Sequence, residues 1–397
     1  MAAPPAVDPA RLEAVTDLLQ ESWAVSRPVI LAGSGAVHAG AGPALRRLGE
    51  LTGALLATTL LARGLFEGDA FELDVAGTFS TSLGAELLGH ADTVIAVGAS
   101  LNPFTTLSGT LFREARVIQI DTDETAFGRH VQVEAELALV GDAREVAEGL
   151  VAELERRGHS SDGLRTPEIA QRLAEFDPLS ELSDQSVPGA IDPRTLMVEL
   201  HRILPRNRVV VVDPGHHCSF AARYLRAPGP ESFVWPFDAG SIGVGVGEGI
   251  GATLGSPEGT VGVVAVGDGA LMMALADIET AVRYRVPVVF VCSNDSALGA
   301  EVHFLDMIGQ PTELATHTTP DLARVAEALG AEGFTVRTAG DLAALRERFR
   351  HPLEGPVLLD CYVNPQVRGE GLEIVYESYL RPSDAEVAAA GPGSIRP

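Results

Sequence analysis

Short runs of β-branched and other apolar residues recur along the chain and alternate with segments whose apolar positions follow helical spacing. In the clearest stretch, an apolar run at 261–266 is followed by Gly-Asp-Gly at 267–269, a helical pattern at 270–284 and a second apolar run at 288–292. Continuous apolar runs of this length are typical of strands that are buried on both faces. The order strand, helix, strand predicts a right-handed βαβ unit.

The same alternation extends on both sides of this stretch and favours parallel, doubly wound sheets. We therefore expect an α/β fold with two doubly wound parallel-sheet domains, a first domain at 8–157 and a second at 191–363, joined by a polar linker at 158–190 and followed by a C-terminal arm at 364–397. Strands are predicted at 28–32, 54–59, 93–97, 116–121, 209–213, 261–266, 288–292, 333–337 and 356–362. Helices are predicted at 11–22, 42–53, 144–157, 167–175, 194–204, 270–284, 321–329 and 341–350.

Composition and charge narrow the classes of function. The chain of 397 residues has a formal net charge of −25, which argues against binding to nucleic acid or to an anionic membrane, because both require a basic face. No apolar run is long enough to span a bilayer, and the N-terminal residues lack the apolar segment of a signal peptide. Cys218, Cys292 and Cys361 are far apart and lack metal-binding spacing. We expect a cytoplasmic protein.

Acidic residues follow two consecutive predicted strands at the point where each strand ends. Asp268 follows the first apolar run, and Asn294 and Asp295 follow the second. Ligands of open parallel sheets gather beyond the carboxyl ends of the strands, and a helix that begins there favours phosphate. Mg²⁺ prefers a few carboxylate oxygens beside phosphate groups. The sequence therefore predicts a Mg²⁺-diphosphate site, with a tight turn carrying two solvated aspartates as the alternative.

Gly-Asp-Gly at 267–269, with Asn294-Asp295 ending 27 residues after Asp268, resembles the signature of thiamine diphosphate enzymes. The intervening residues are similar to the superfamily of acetolactate synthase, benzaldehyde lyase and pyruvate decarboxylase. The resemblance implies that Asp268 and Asp295 bind Mg²⁺ through their side chains and Ala297 through its carbonyl. Asp295 stands where the family often has asparagine, and Asn294 is the alternative ligand if the register shifts by one residue.

Other segments resemble cofactor-contacting elements of the same superfamily. Gly215-His216-His217 corresponds to a Gly-Gln-His of acetolactate synthases near the diphosphate, although a solvated turn is the alternative and His216 departs from the family's glutamine. Gly240-Ser241-Ile242 resembles the element that bends the cofactor, with a glycine-rich helix start capped by Asp238 as the simpler interpretation. The predicted cofactor-binding residues are Gly215, His216, His217, Gly240, Ser241, Ile242, Gly267, Gly269, Ala270, Asn294, Leu298 and Gly299.

The segment after Asp295 covers the reaction centre in relatives. Glu301 and His303 are its titratable residues and are therefore the predicted catalytic residues on the substrate side. Exposed polar groups of a loop are the alternative.

In the first domain, Gly33 and Gly35 suggest a dinucleotide-binding loop, but His38 occupies the place of the third glycine, which favours a structural turn. The segments at 27–33, 53–60, 64–66 and 91–102 resemble the central domain of the thiamine diphosphate enzymes. This domain helps to hold FAD in acetolactate synthases and binds nothing in many relatives, so the sequence leaves FAD undecided.

The resemblance covers a central and a diphosphate-binding domain, and we find no segment similar to the pyrimidine-binding domain that carries the family's catalytic glutamate. We therefore expect the large subunit of a split carboligase that acts on 2-keto acids or acyloins, with the glutamate supplied by a separate subunit and with self-association into a dimer or tetramer. Alternatives are a subunit of a 2-keto acid decarboxylase, a non-catalytic cofactor-binding scaffold, and a nucleotide-binding protein based on the first domain.

Overall fold

A computed structural model describes residues 7–22, 26–130, 133–369, 371, 373, 376 and 377. Within these residues the strands form two six-stranded sheets, and all neighbouring strands in them are parallel. The predicted α/β class with two doubly wound sheets is confirmed. The domain boundaries stay a prediction, and most of the predicted C-terminal arm lies outside the described residues.

The first sheet has the order β3-β2-β1-β4-β5-β6. Its strands are β1 Pro28–Ala32, β2 Leu55–Thr58, β3 Glu72–Val75, β4 Thr93–Val97, β5 Arg116–Asp121 and β6 Leu137–Val140. The helices in this part of the chain are α1 Pro9–Ser22, α2 Ser34–His38, α3 Gly42–Thr52, α4 Ser82–Gly89, α5 Pro103–Thr106 and α6 Ala143–Arg156. Two further helices follow in the predicted linker, α7 Pro167–Glu175 and α8 Pro178–Glu181.

The second sheet has the order β11-β12-β10-β9-β7-β8. Its strands are β7 Arg208–Val212, β8 Phe233–Val234, β9 Val261–Gly267, β10 Val288–Asn294, β11 Glu332–Val336 and β12 Val357–Tyr362. The helices around it are α9 Pro193–Ile203, α10 Cys218–Tyr224, α11 Val244–Gly255, α12 Asp268–Met273, α13 Leu275–Arg283, α14 Gly299–Met307, α15 Leu322–Leu329 and α16 Ala339–Arg348. Across the described part of the chain, every helix is too short or too polar to cross a bilayer.

Each sheet is buried on both faces, which explains the uninterrupted apolar runs. In β1, Ile30 packs with one hydrophobic cluster, and its neighbours Val29 and Leu31 pack with another on the opposite face. In β9, Val263 and Val264 likewise belong to separate clusters. Successive side chains of a strand point to opposite faces, so helices must cover both sides of the sheet.

The strand order reverses between β1 and β4 in the first sheet and between β7 and β9 in the second. At such a point the connections leave the two central strands in opposite directions and open a crevice beyond their carboxyl ends. The second crevice lies between the segment after β7 and the segment after β9. These are the two segments that carry Gly215-His216-His217 and Gly-Asp-Gly.

Several local predictions need correction. The predicted helix at 270–284 is two helices, α12 and α13, because Ala274 leaves helical geometry with φ −117° and ψ 20°. Strand β3 was not predicted; it is short, contains Asp74 at φ +63°, and pairs with β2 through a register shift. The two-residue strand β8 also carried no sequence pattern.

A buried ion pair links the parts of the chain that carry the two sheets. Arg63, only 1% exposed, donates to Asp74 Oδ1 at 3.0 Å and to Asp74 Oδ2 at 2.9 Å. The same guanidinium donates to the carbonyls of Ala222 and Arg223, which belong to α10. Burial alone would raise the pKa of Asp74, but Arg63 and Arg226 hold it below its usual value. One carboxylate and two carbonyls therefore receive hydrogen bonds from the Arg63 side chain.

We expect Arg63→Ala to lower the free energy of unfolding by about 3–5 kcal/mol, because it leaves a buried carboxylate and two carbonyls short of a donor. Urea unfolding followed by circular dichroism measures the change. Arg47→Ala is the matched control, since Arg47 pairs with Glu155 at an exposed position, where a pair contributes about 0–1 kcal/mol. Equal losses in the two variants would contradict the role given to Arg63.

A second carboxylate beside this ion pair gives a pH-dependent prediction. Burial, together with the neighbouring Asp74 carboxylate, raises the pKa of Glu72 to about 7. The folded chain therefore retains a proton that the unfolded chain releases near pH 4–5, so this group lowers stability as the pH rises toward about 7. Glu72→Gln should be more stable than the parent chain by about 2–3 kcal/mol at pH 8, and the difference should vanish near pH 4.

Urea unfolding at several pH values measures this difference. Glu114→Gln, at an exposed position, is the control and should follow the parent chain at each pH. A constant difference between Glu72→Gln and the parent across the pH range would refute the assignment.

Candidate active site

The carboxyl ends of β7, β9 and β10 meet at a cavity of about 370 Å³, within the range of small-molecule sites. Most of the residues predicted from sequence line this cavity. They are Gly215, His216, His217, Gly240, Ile242, Gly267, Asp268, Gly269, Ala270, Asp295, Ala297, Leu298, Gly299 and Glu301. The remaining predicted residues, Ser241, Asn294 and His303, are not part of the cavity lining.

Asp268 is 1% exposed and lies at the first position of α12. Its Oδ2 accepts hydrogen bonds from Thr319 Oγ1 at 2.5 Å and from His317 Nε2 at 3.1 Å. Its Oδ1 is buried and has no hydrogen-bond partner among the described residues. A buried carboxylate oxygen without a donor is costly, so this oxygen requires a proton or a cation.

Asp295 lies beside Asp268 at the end of the adjacent strand. Burial, together with the Asp268 carboxylate, raises the pKa of Asp295 to about 7. Its Oδ1 accepts from the backbone N–H of Ala297 at 3.1 Å, which orients the side chain. The buried Asp268 and the half-buried Asp295 repel each other when both are ionised, and a divalent cation would remove that repulsion.

Asn294 faces away from this pair. Its Nδ2 donates to the buried carboxylate of Asp360 on β12 at 2.8 Å, and Asp360 Oδ2 accepts from the backbone N–H of Leu322 at 3.0 Å. The structure thus directs the Asn294 side chain toward the neighbouring strand and the start of α15. Of the two consecutive residues Asn294 and Asp295, it is therefore Asp295 whose side chain faces the cavity.

Glycines let the backbone form a narrow cradle around the carboxylates. A Cβ atom on Gly299 would lie 2.5 Å from Asp295 Oδ2, and one on Gly269 would lie 3.0 Å from Leu298 Cδ2. A Cβ atom on Gly267 would lie 3.2 Å from the His217 ring. The free N–H groups at the start of α12 also lie here, where the helix dipole favours an anion.

Three histidines lie next to the cradle in neutral form. Burial lowers the pKa of His217 to about 4, and its buried Nε2 has no hydrogen-bond partner in the described part of the chain. Burial, together with His303, lowers the pKa of His216 to about 3, and His216 Nε2 lies 2.9 Å from the Val367 carbonyl. The rings of His216 and His303 are 4.2 Å apart, and burial also lowers the pKa of His303. His217 is therefore the histidine with an available ring nitrogen at the cavity.

Asp213 binds the backbone of the glycine-rich segment at the start of α11. Asp213 Oδ2 accepts from the Gly243 N–H at 2.9 Å, and Oδ1 accepts from the Gly245 N–H at 2.7 Å. Asp213, which follows β7, thus accepts the hydrogen bonds of two backbone N–H groups at the start of α11. The expectation that Asp238 caps this helix is wrong. A Cβ on Gly249 would lie 2.1 Å from Val264 Cγ2, so close packing of α11 on the sheet explains that glycine.

Sequence reasoning missed Asp213, His317 and Thr319. His317 and Thr319 reach Asp268 from a loop about fifty residues away in the chain, and this long-range contact leaves no spacing signal. The position of Asp213 could have been found from the sequence, because Asp213 directly follows an apolar run that predicts a buried strand, as Asp268 does. This pattern predicts that both residues lie at the carboxyl edge of the second sheet.

The residues present fit a Mg²⁺-diphosphate group. The free Oδ1 of Asp268, the Asp295 carboxylate and the nearby backbone of Ala297 are hard oxygen donors, and the glycine cradle leaves space for phosphate oxygens. In the described residues no group of three or more His, Cys, Asp or Glu side chains is arranged to hold a metal. Two carboxylates suit Mg²⁺, which takes its remaining ligands from phosphate and water.

A second cavity of about 510 Å³ lies at the crevice of the first sheet. It shares Phe79, Phe104, Trp235 and Phe237 with the first cavity, so these aromatic residues separate the two spaces. A Cβ on Gly33 would lie 2.0 Å from the Gly98 carbonyl oxygen. Close contact between two loops is therefore sufficient to require this glycine.

Comparison with known proteins agrees with this geometry. The family described as thiamine pyrophosphate enzyme, central domain, matches residues 12–150, and the family described as thiamine pyrophosphate enzyme, C-terminal TPP binding domain, matches residues 213–361. The acetolactate synthase isozyme 3 large subunit of Escherichia coli is 28% identical over 370 residues, which cover 91% of this chain and 63% of that protein.

Two further relatives are another acetolactate synthase large subunit and an acetyltransferase. The acetolactate synthase large subunit of Haemophilus influenzae is 28% identical over 335 residues, which cover 81% of this chain and 56% of the relative. The sulfoacetaldehyde acetyltransferase of Alcaligenes xylosoxydans is 31% identical over 367 residues, which cover 82% of this chain and 58% of the relative. The chain thus spans roughly three fifths of the length of these relatives. Both family matches and the arrangement of the strand ends lead to one conclusion: the chain belongs to the thiamine pyrophosphate enzymes.

Proposed function

We propose that this chain is the large subunit of a split, thiamine diphosphate-dependent carboligase of the acetolactate synthase type. It holds the diphosphate end of the cofactor and Mg²⁺, and a separate subunit supplies the pyrimidine-binding surface and the catalytic glutamate. The substrates are 2-keto acids or acyloins. The observation that carries the proposal is the buried Asp268 Oδ1 without a donor, beside Asp295 with its raised pKa, at the end of adjacent strands.

Each cradle residue has a defined task in this proposal. Asp268 and Asp295 hold Mg²⁺ through their carboxylates and Ala297 through its carbonyl, while Gly267, Gly269 and Ala270 let the backbone approach the diphosphate. His217, held neutral by burial and bonded to backbone carbonyls through its other ring nitrogen, accepts through its free Nε2. Bound thiamine diphosphate supplies the carbanion chemistry that acts on the 2-keto carbonyl.

The part of the cavity lined by Gly240, Ile242 and Glu301 receives the rest of the cofactor and the substrate in this proposal. Gly240, with φ +61°, and the half-buried Ile242 lie on this side, where they shape the bent cofactor in our proposal. Glu301 is exposed at the cavity, and His303 has a buried Nε2 without a partner among the described residues. We assign these two residues to proton handling on the substrate side, Glu301 at the cavity and His303 outside its lining, where its ring packs against the His216 ring.

The partner assignment follows from the carboxylates at the cavity. Among the described lining residues these are Asp268, Asp295 and Glu301, and the first two serve the metal in this proposal. A glutamate that protonates the aminopyrimidine ring must approach from the far side of the cofactor, which the proposal assigns to another polypeptide. Several relatives are themselves named large subunits, which supports an assembly with a further subunit.

The second cavity is where we place FAD if the complex binds it. Its position at the strand-order reversal of the first sheet and its volume of about 510 Å³ support a nucleotide-sized ligand. A purified complex with the visible absorbance of a flavin would support this placement. A colourless complex with full carboligase activity would exclude it.

Reconstitution tests the proposed function. The purified chain is mixed with a candidate pyrimidine-domain subunit encoded next to it, thiamine diphosphate, Mg²⁺ and pyruvate, and the products are identified. Acetolactate supports the carboligase, acetaldehyde supports the decarboxylase alternative, and cofactor binding without product supports the scaffold. Equal turnover by the chain alone would overturn the split enzyme.

The metal site gives a separate prediction. Thr319→Val removes the hydroxyl that donates to Asp268 Oδ2 and should weaken Mg²⁺-dependent binding of thiamine diphosphate about tenfold, as expected when an outer hydrogen bond to a metal ligand is lost. Isothermal titration calorimetry with and without Mg²⁺ measures the effect. Thr318→Val, at an exposed neighbouring position, should bind like the parent chain. Unchanged binding in Thr319→Val would argue against Asp268 as a ligand.

A further inference from the structure

A third cavity, of about 520 Å³, lies at the opposite edge of the second sheet from the candidate active site. It is lined mainly by basic side chains, and we call it the arginine cavity. Its charged and ring residues are Arg202, Arg206, Arg208, Arg226, His201 and Glu67. Four guanidiniums around one cavity stand out in a chain whose formal net charge is −25.

Arg208 forms the fixed floor of the cavity. It is 4% exposed, and its guanidinium donates to the Arg226 carbonyl at 2.6 Å and to the Pro205 carbonyl at 3.2 Å. It also lies 2.7 Å from His201 Nδ1. Because these acceptors are neutral, the positive charge of Arg208 is not cancelled by a bonded carboxylate.

His201 presents a donor toward the cavity. Its Nδ1 accepts from Arg208 and from the backbone N–H of Arg226 at 3.3 Å, so the ring proton of the neutral form lies on Nε2. Burial, together with Arg208 and Arg226, lowers the pKa of His201 to about 4. The ring is therefore neutral at physiological pH and donates through Nε2.

The other arginines differ in how far they are already paired. Arg202 is bound to Asp177 at 2.9 Å and to Glu199 at 2.6 Å. Arg226 is 42% exposed and pairs with Asp74 at 2.9 Å, while Asp74 also serves Arg63. Arg206 is exposed and has no hydrogen bond or ion pair among the described residues. Glu67 is the lining carboxylate, so Arg206, Arg208 and Arg226 leave the cavity with positive charge in excess.

We propose that the arginine cavity is a binding site for a small phosphate-bearing anion. Arg206 and the open part of the Arg226 guanidinium supply forked donors that match phosphate oxygens, His201 Nε2 supplies a neutral donor, and Arg208 supplies fixed charge from below. The site shares no lining residue with the candidate active site and lies at the amino end of β7, whereas the cofactor site lies at the carboxyl end. It therefore stands independently of the proposed function.

Binding of inorganic pyrophosphate to the full chain tests the site. The titration is carried out calorimetrically at constant ionic strength in EDTA, so that a Mg²⁺-dependent diphosphate site does not contribute. We expect saturable binding of one pyrophosphate per chain, weaker binding of inorganic phosphate and of sulfate, and none of chloride. Arg206→Gln should weaken pyrophosphate binding about tenfold, because a charge-assisted hydrogen bond is lost.

Arg113→Gln removes one exposed arginine elsewhere on the chain and should leave binding unchanged. Thermal unfolding of both variants checks that they are folded. Equal weakening in the two variants would show a non-specific charge effect and overturn the site, as would the absence of saturable binding in the parent chain. Failure of the reconstituted carboligase would leave this result unaffected, because the titration contains neither thiamine diphosphate nor divalent metal.

Discussion

Two neighbouring carboxylates, the buried Asp268 and the half-buried Asp295, lie at the ends of adjacent parallel strands, and this arrangement constrains the residues around them. Asp268 has one oxygen bound to Thr319 and His317 and the other without a donor. Asp295, beside it, has a raised pKa because burial and Asp268 oppose its ionisation. Such a pair is unfavourable in a fold that only needs to be stable. A divalent cation would supply the missing partner and remove the repulsion, and for this reason we propose a metal-binding role for the two carboxylates.

The surrounding backbone is built to leave space at this pair. The parallel sheet brings the strand ends together, and glycine is present where a Cβ would strike a carboxylate or a histidine ring, as at Gly299 and Gly267. Asp213 anchors the start of α11, and the glycine-rich segment begins at the same cavity, which Gly240 and Ile242 line. The backbone N–H of His317 donates to the Ser296 carbonyl at 2.9 Å, and this hydrogen bond fixes the loop that carries His317. Rigid elements on several sides thus define one cavity.

The fold class and most of this cavity were accessible from the sequence, because apolar runs mark buried strands and the chemistry follows directly at their ends. The strand at Thr93–Val97 and the helix at Pro167–Glu175 have the predicted bounds. The failures have a common cause in contacts that are distant along the chain. Ala274 breaks a helix that periodicity alone makes continuous, and Asn294 turns toward Asp360 on a strand whose neighbour the sequence does not identify. Thr319 and His317 reach Asp268 for the same reason.

Strand β7 joins two regions of opposite electrostatic character. It begins at Arg208, in the arginine cavity, and its carboxyl end leads to Asp213, beneath the cofactor cradle. At the carboxyl end, the acidic side chains would repel a phosphate, so in the proposed function an anion binds there through a cation and through backbone N–H groups. At the amino end, guanidiniums attract an anion directly, without a metal. A metal chelator should therefore separate the two sites, because it disables the first mode of recognition and leaves the second intact.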